Sequence, residues 1–256
     1  MASNEHQHQS VDDGPGPMYK EKWVQDLIQQ LKDFVGANHS WLGLDVDKKQ
    51  RVLDYACGNG TISEGLALVC PKTSFHGIDI LSAQVTRYNT AAANLLGDDA
   101  NRMVAIEGDL FNPSTTLEGP EWYGFDMAIT SMALHHFTHP VDMLRLLAQR
   151  IKPGGTVVVA DWLKDVPLPP RESAGEGGEK RKRKKPYHPV QNADPEEMED
   201  IHGTKIWMGF TEESIKESME IAGLKECEVR LHPELSKMPE NLGGDQQIFY
   251  AKGVVS

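Results

Sequence analysis

Four short stretches of this sequence carry residues whose types and spacing suit chemistry. In the first, Val52-Leu53-Asp54-Tyr55-Ala56-Cys57-Gly58-Asn59-Gly60, an apolar run leads into a Gly-x-Gly turn. Glycine lets backbone approach a ligand closely, and a helix beginning there presents free N–H groups to a polar or anionic part of it. The plainer reading is a tight turn, and Gly58-x-Gly60-x-x-Ser63 also nearly matches a dinucleotide fingerprint. The second, Asp79-Ile80, ends another apolar run 19 residues after Gly60. A carboxylate there can accept hydrogen bonds from vicinal ribose hydroxyls, or simply serve as a helix N-terminal charge. The third, Glu107-Gly108-Asp109-Leu110-Phe111, sets an acid beside apolar residues, suited to a purine, although Asp109 also suits a turn. The fourth is Ser131-Met132-Ala133-Leu134-His135-His136. Imidazole titrates near neutrality, so His135 or His136 suits a general base for a hydroxyl or amine; the alternative is that both only shape a pocket. With His139 they lack a carboxylate at a ligand spacing, and no metal is expected.

These residues need elements to position them. Arg51 to Ala56, Ser74 to Ile80, Arg102 to Asp109, Phe125 to Met132 and Thr156 to Trp162 read as strands. Thr61 to Val69, the stretch from Ser82 to Leu96 before Gly97, and Val141 to Ile151 read as helices, with Ser82 expected to cap the second. Lys152-Pro153-Gly154-Gly155 reads as the turn into the fifth strand. Such alternation means parallel βαβ units, whose ligands bind at the carboxyl ends of the strands, where the acids fall. Thr211 with Glu212 and Glu213 suits a helix start, although Ser214 does not complete the usual capping box. Lys225 to His232 and Gln246 to Val254 then follow with no helix between them and are expected to pair antiparallel. Upstream, Trp23, Val24, Leu27, Ile28, Leu31, Phe34 and Val35 recur at helical spacing up to Gly36.

Taken in order, VLDYACGNG, GIDI and EGDLF, followed by the closing helix and antiparallel pair, resemble the class I S-adenosylmethionine-dependent methyltransferases. The likeness is to the small-domain kind that includes ubiquinone-pathway-like enzymes, and it covers roughly Val52 to Lys252. It implies an α/β fold with a doubly wound, seven-stranded, mostly parallel sheet whose last strand is antiparallel, a Rossmann-like methyltransferase fold. It implies S-adenosylmethionine as cofactor, with Asp54 and the Gly58 to Gly60 segment at its methionine portion, Asp79 at the ribose, and Asp109 with Leu110 at the adenine. Cys57, Ile80, Gly108 and Ser131 complete the expected cofactor contacts. Tyr55-Ala56-Cys57 departs from the pattern, since many relatives carry a further glycine before the first glycine here. Relatives with a similar Ala-Leu-His-His run place it beside the transferring methyl group. That run is neither the Asn/Asp-Pro-Pro-Tyr/Phe signature of base-modifying enzymes nor the Cys-centred pattern of RNA C5 enzymes, which argues against nucleobase methylation. A dehydrogenase is disfavoured by the antiparallel closing pair and the missing third glycine.

A sulfonium donor is already activated, so the sequence reveals the cofactor better than the acceptor. The expected reaction is methyl transfer to an O, N or C nucleophile of a small molecule, with Tyr19, Trp23, Trp162 and Trp207 around the acceptor. The alternatives are a protein or RNA acceptor, or a non-catalytic subunit of a complex.

The 256 residues, 39% hydrophobic, suit one domain over residues 18–256 after a polar, disordered tail at 1–17. Within it, a cap helix is expected at 18–36 and a long insertion or lid at 163–210, containing a flexible basic loop at 171–186. The formal charge is −12, which disfavours a nucleic-acid partner. It is unevenly spread: residues 171–185 carry +4 and the rest of the chain −16. The run Lys180 to Lys185 reads as a nuclear-localisation-like signal, a contact for an acidic protein partner or RNA, or a solvated loop. Cys57, Cys70 and Cys227 form neither a zinc pattern nor a disulfide framework. With no apolar leader and no run long enough to span a membrane, a cytoplasmic or nuclear location and no membrane partner are expected.

Overall fold

The computed structural model describes residues 18–113, 115–164, 198–199, 205–206 and 209–256. The expected tail, most of the insertion with its basic run Lys180 to Lys185, and Trp207 lie outside the described residues. Seven strands form one sheet: β1 (Arg51–Tyr55), β2 (Ser74–Asp79), β3 (Met103–Glu107), β4 (Phe125–Ser131), β5 (Ile151–Leu163), β6 (Lys225–Leu231) and β7 (Gln247–Val254). Their order is β3-β2-β1-β4-β5-β7-β6, with β1 to β5 parallel and β7 antiparallel to both its neighbours. The expected Rossmann-like sheet with an antiparallel last strand is therefore present. The strand order reverses between β1 and β4, and such a switch point opens a crevice at the carboxyl ends. A separate antiparallel pair, Met198–Glu199 with Lys205–Ile206, falls inside the expected insertion, its second strand beside the turn at Leu134–His136.

Helices cover both faces, which is why the central strands read as unbroken apolar runs. On one face α1 (Lys22–Ala37), α3 (Thr61–Val69) and α4 (Ser82–Leu96) bury Leu31, Phe34, Leu66 and Tyr88 against Val52, Phe75, Ile129, Ala160 and Tyr250. A short α2 (His39–Leu42) follows α1. On the other face α5 (Pro140–Gln149) and α6 (Glu212–Ile221) bury Leu144, Leu147 and Ile215 against Leu53, Phe125, Val159 and Phe249. No helix among the described residues is long and apolar enough to cross a membrane.

Three local expectations are corrected. Ser82 is not a cap: it is the first residue of α4, and Asp79 Oδ1 instead accepts the Leu81 N–H at 3.0 Å. Thr211 and Ser214 do form a reciprocal capping box, because the serine hydroxyl reaches back as a glutamate would. Thr211 Oγ1 accepts from Ser214 N at 3.0 Å and Ser214 Oγ from Thr211 N at 2.9 Å. The expected turn at Lys152 to Gly155 is a bulge inside β5, where pairing jumps from Phe125↔Ile151 to Met127↔Thr156 and Gly154 takes a φ of 79°. Accordingly α5 stops at Gln149 and Ile151 already belongs to the strand.

Candidate functional site

The carboxyl ends of β1, β2 and β4 hold most of the residues singled out above. Asp54 is buried in β1 and accepts a hydrogen bond from Ser63 Oγ at 2.7 Å, while Ser63 Oγ accepts one from the Tyr88 hydroxyl at 2.8 Å. Burial pushes its carboxyl up to about 7; the Ser63 hydrogen bond opposes that rise and the nearby Asp79 charge adds to it. After Asp54 the chain turns through three left-handed residues, Ala56, Gly58 and Gly60, at φ 54°, 53° and 88°. The glycine expected from the family pattern is thus replaced by an alanine that adopts a glycine-like conformation. At Gly60 a Cβ would fall 2.7 Å from Met103 Cε and 3.0 Å from Tyr88 Cδ2, so packing also excludes a side chain. Among the described residues it would meet at Gly58 only the Tyr19 hydroxyl, at 3.6 Å, which leaves an open backbone cradle.

Asp79 ties this turn to β2. Its Oδ2 accepts the Gly58 N–H at 2.9 Å and its Oδ1 the Leu81 N–H at 3.0 Å; burial raises its carboxyl above the ordinary value, opposed by these backbone donors. Ile80 beside it is 63% exposed, an unusual position for an isoleucine at a strand end. The Gly108 N–H donates to the Asp79 carbonyl at 2.9 Å, which brings the β3 loop alongside. There Asp109 forms its own turn, accepting from Phe111 N at 2.9 Å, Asn112 Nδ2 at 3.0 Å and the Tyr55 hydroxyl at 3.1 Å. Tyr55 Oη in turn accepts the Leu110 N–H at 3.2 Å, and Leu110 is buried. Cys57 packs inward, its Sγ 2.9 Å from where a Cβ on Gly77 would lie, and burial pushes its thiol well above the ordinary range, so it is no nucleophile.

At the end of β4, the Ser131 Oγ is buried without a hydrogen-bond partner among the described residues, and Met132 adopts a φ of 53°. The chain then reaches His135, which is buried with Nδ1 2.6 Å from Asp161 Oδ1. Asp161, wholly buried at the end of β5, also accepts the His135 N–H at 3.1 Å and the Trp162 N–H at 2.7 Å. The His136 ring lies 4.1 Å from that of His135. The His135–Asp161 pair is the contact that sequence reasoning missed; its only sequence signal is an acid ending the strand that neighbours the histidine run.

The expected acceptor residues separate. Tyr19, in a short 3₁₀ turn before α1, lies over the glycine turn, and its hydroxyl donates to Gln84 Oε1 at 3.4 Å. Trp23 is half-buried on α1, and Trp162 packs half-buried against the α1-side core. Gln84 and Arg87 of α4, which the sequence did not single out, join Tyr19: the Arg87 guanidinium carbon lies 5.9 Å from its ring centroid. A shallow concavity lined by Asp33, Phe34, Asn38, Arg230 and His232 lies elsewhere, between α1 and the end of β6.

The arrangement fits S-adenosylmethionine: a backbone cradle with no side chain in it, two buried carboxylates for a cationic nucleoside, and an unsatisfied serine hydroxyl at the far end. The chain is similar to an uncharacterized methyltransferase of Schizosaccharomyces pombe, 28% identical over 212 residues that make up 81% of this chain and 64% of that protein. It is similar also to the 2-methyl-6-phytyl-1,4-hydroquinone methyltransferase of Synechocystis, 33% identical over 142 residues, 54% of this chain and 41% of that protein. The chain thus spans less than two thirds of the length of these curated relatives. Among solved structures its fold is similar to that of magnesium protoporphyrin IX methyltransferase from Synechocystis with bound SAM. The TM-score is 0.54 at 15% identity, over 92% of this chain and 85% of that one. The model of the methyltransferase domain family matches residues 22–228. That span runs through the glycine turn, the strand-end acids and the histidine turn alike, and the chain belongs to the methyltransferase domain family.

Proposed function

We propose that this chain transfers a methyl group from S-adenosylmethionine to an oxygen, nitrogen or carbon nucleophile of a small molecule. The observation that carries the reading is the meeting of Asp54, Gly58, Gly60 and Asp79 at the ends of β1 and β2. Asp79 offers the ribose hydroxyls the lone pairs its backbone partners leave, and Asp54 supplies negative charge behind the glycine turn for the cationic arm. Ile80 and Leu110 border the adenine, and Ser131 Oγ is a further polar contact. Bound there, the cofactor supplies an activated methyl on its sulfonium. The protein's own tasks are alignment, exclusion of water and removal of the acceptor's proton.

For that proton His135 is the base. Sharing the Nδ1 hydrogen with Asp161 makes Nε2 the basic nitrogen, and the Asp161 contacts to two backbone N–H groups hold the carboxylate that orients the ring. His136, against the same ring, is the alternative base. Trp23 and Trp162 border the acceptor from α1 and β5, and a relative named for a hydroquinone supports a ring-bearing acceptor.

Calorimetric titration tests the cofactor. Binding of S-adenosylmethionine with none of NAD is expected, and the reverse result would sink the reading. Asp79→Ala should weaken binding a hundredfold or more, since two charge-assisted hydrogen bonds of about 1.5–3 kcal/mol each are lost. Methyl-labelled cofactor added to fractionated extract should then label small molecules rather than protein or RNA.

A further inference from the structure

The sheet has two edges, and the chain treats them differently. At β3 the Asn89 side chain, from α4, takes both backbone groups that Ala105 turns outward: its Oδ1 accepts the Ala105 N–H at 2.8 Å and its Nδ2 donates to the Ala105 carbonyl at 3.0 Å. The Met103 N–H is taken by the Ala100 carbonyl. An unpaired strand edge is a template for another strand, and these contacts close this one. At the other edge β6 pairs, among the described residues, with β7 alone. The His232 N–H donates to the carbonyl of the residue opposite it, Ile248, at 2.9 Å, and this fixes the ladder. Antiparallel residues alternate, so Arg230 and Glu228 also turn their backbone groups to β7, whereas Leu231, Val229 and Cys227 turn theirs out. The side chains alternate as well. Cys227 and Val229 pack on the α6 side, and Leu231, on that same side, is 41% exposed. Glu228 and Arg230 lie on the α1 side, both held by Trp41 of α2: Glu228 Oε2 accepts the indole N–H at 2.9 Å, and the Arg230 guanidinium carbon lies 4.4 Å from a ring centroid of the indole. An acid and a base two residues apart, fixed on one face of an open edge, form a self-complementary pattern.

We infer that a second copy of this chain pairs with β6, antiparallel about a twofold axis through Val229. Backbone and side chains select the same register. An axis at Val229 sets that residue opposite its own copy, and Cys227 of one chain opposite Leu231 of the other. All of these face outward, so each such pair can exchange backbone hydrogen bonds. The same axis sets Glu228 of one chain opposite Arg230 of the other, twice by symmetry. An axis one residue away, at Glu228 or at Arg230, would set like charge against like and offer backbone groups already spent on β7. On the N-terminal side the bulge between Lys225 and Glu228, with Glu226 at a φ of 50°, ends the regular edge. The contact is therefore short, and it forms a dimer that depends on concentration. With β4, β5 and β7 between β6 and β1, the crevice at β1 and β2 stays outside the interface.

Sedimentation equilibrium of the full chain tests this. A monomer–dimer equilibrium is expected, and a monomer at every concentration up to millimolar overturns the inference. Glu228→Lys and Arg230→Glu should each weaken the dimer by about tenfold, because both symmetry-related pairs become repulsive. Mixed in equal amounts, the two variants should associate with most of the native affinity, since each chain then meets opposite charge; a mixture no stronger than the separate variants overturns the pairing. Val229→Pro removes an N–H that β7 does not use, so the monomer should still fold, as a thermal melt reads, while the dimer is lost. A dimer that survives Val229→Pro overturns the inference and puts the interface elsewhere.

Discussion

Burial holds the Asp54 carboxyl near 7, so around neutrality much of the ligand-free protein carries it protonated. Its folded value lies above the unfolded 3.8, so its contribution to stability is fully present below about 4 and is lost as pH rises through about 7. Above 7 the ligand-free protein holds an ionised carboxylate in a buried place, beside a second acid, Asp79. A cationic cofactor reverses the sign of that cost, because it favours the ionised form. Affinity for S-adenosylmethionine should therefore rise between pH 6 and 8, and binding near pH 7 should release a proton. Titration in buffers of different ionisation enthalpy reads that proton directly. In Asp54→Asn both the proton release and this part of the pH dependence should vanish; a proton release that persists would place the titrating group elsewhere.

The elements matter to the site chiefly through how closely α1 is held to α3, since the 3₁₀ turn bearing Tyr19 leads directly into α1. A Cβ on Gly65 of α3 would lie 2.9 Å from Lys32 Cα and 3.0 Å from its carbonyl oxygen, so only glycine allows this crossing. Lys32 and Glu64 pair beside it. Gly36, on the facing helix, is looser: a Cβ there would meet Gly65 O at 3.5 Å, an ordinary contact. Gly65→Ala should therefore push the helices apart and cost about 1–3 kcal/mol, the usual range for overpacking, lowering Tm by roughly 2–4 °C per kcal/mol. Gly36→Ala should be neutral or stabilising, since alanine is the better helix former. Thermal melts of the pair check this, and equal Tm values would show that the crossing is not sterically set. This contact also marks where the sequence ceases to be legible. Strands, their order of succession, and the acids at their ends follow from period and turn residues within a few positions of each other. The Gly65 crossing, the His135–Asp161 pair and the Arg87–Tyr19 stack join residues 26 to 68 positions apart, and no local pattern brings them together. Ser214 is a different case: its capping box is local, but it uses a serine where the familiar pattern has glutamate, so side-chain reach had to be seen.

At the scale of the molecule, charge is divided rather than uniform. Residues 176–185 carry +4, and the chain without them carries −16. We propose that this basic run serves docking to an acidic protein partner or nuclear entry, and has no part in methyl transfer to a small acceptor. The physical reason is reach: a contact between solvent-exposed charges fades beyond a Debye length of about 8–10 Å at ordinary salt, whereas the alignment of donor and acceptor is set inside a crevice whose acids are buried. The sheet, both helical layers and the strand-end acids are all built without these residues. Deleting residues 176–185 should accordingly leave Tm unchanged and keep kcat/KM on the small-molecule acceptor within about twofold across moderate salt concentrations. Capture of an acidic protein partner by the intact chain should be salt-sensitive and should lose that sensitivity in the deletion. If the deletion instead abolishes methyl transfer to the small acceptor while Tm holds, the basic run belongs to the acceptor site and the proposal that it has no part in the transfer fails.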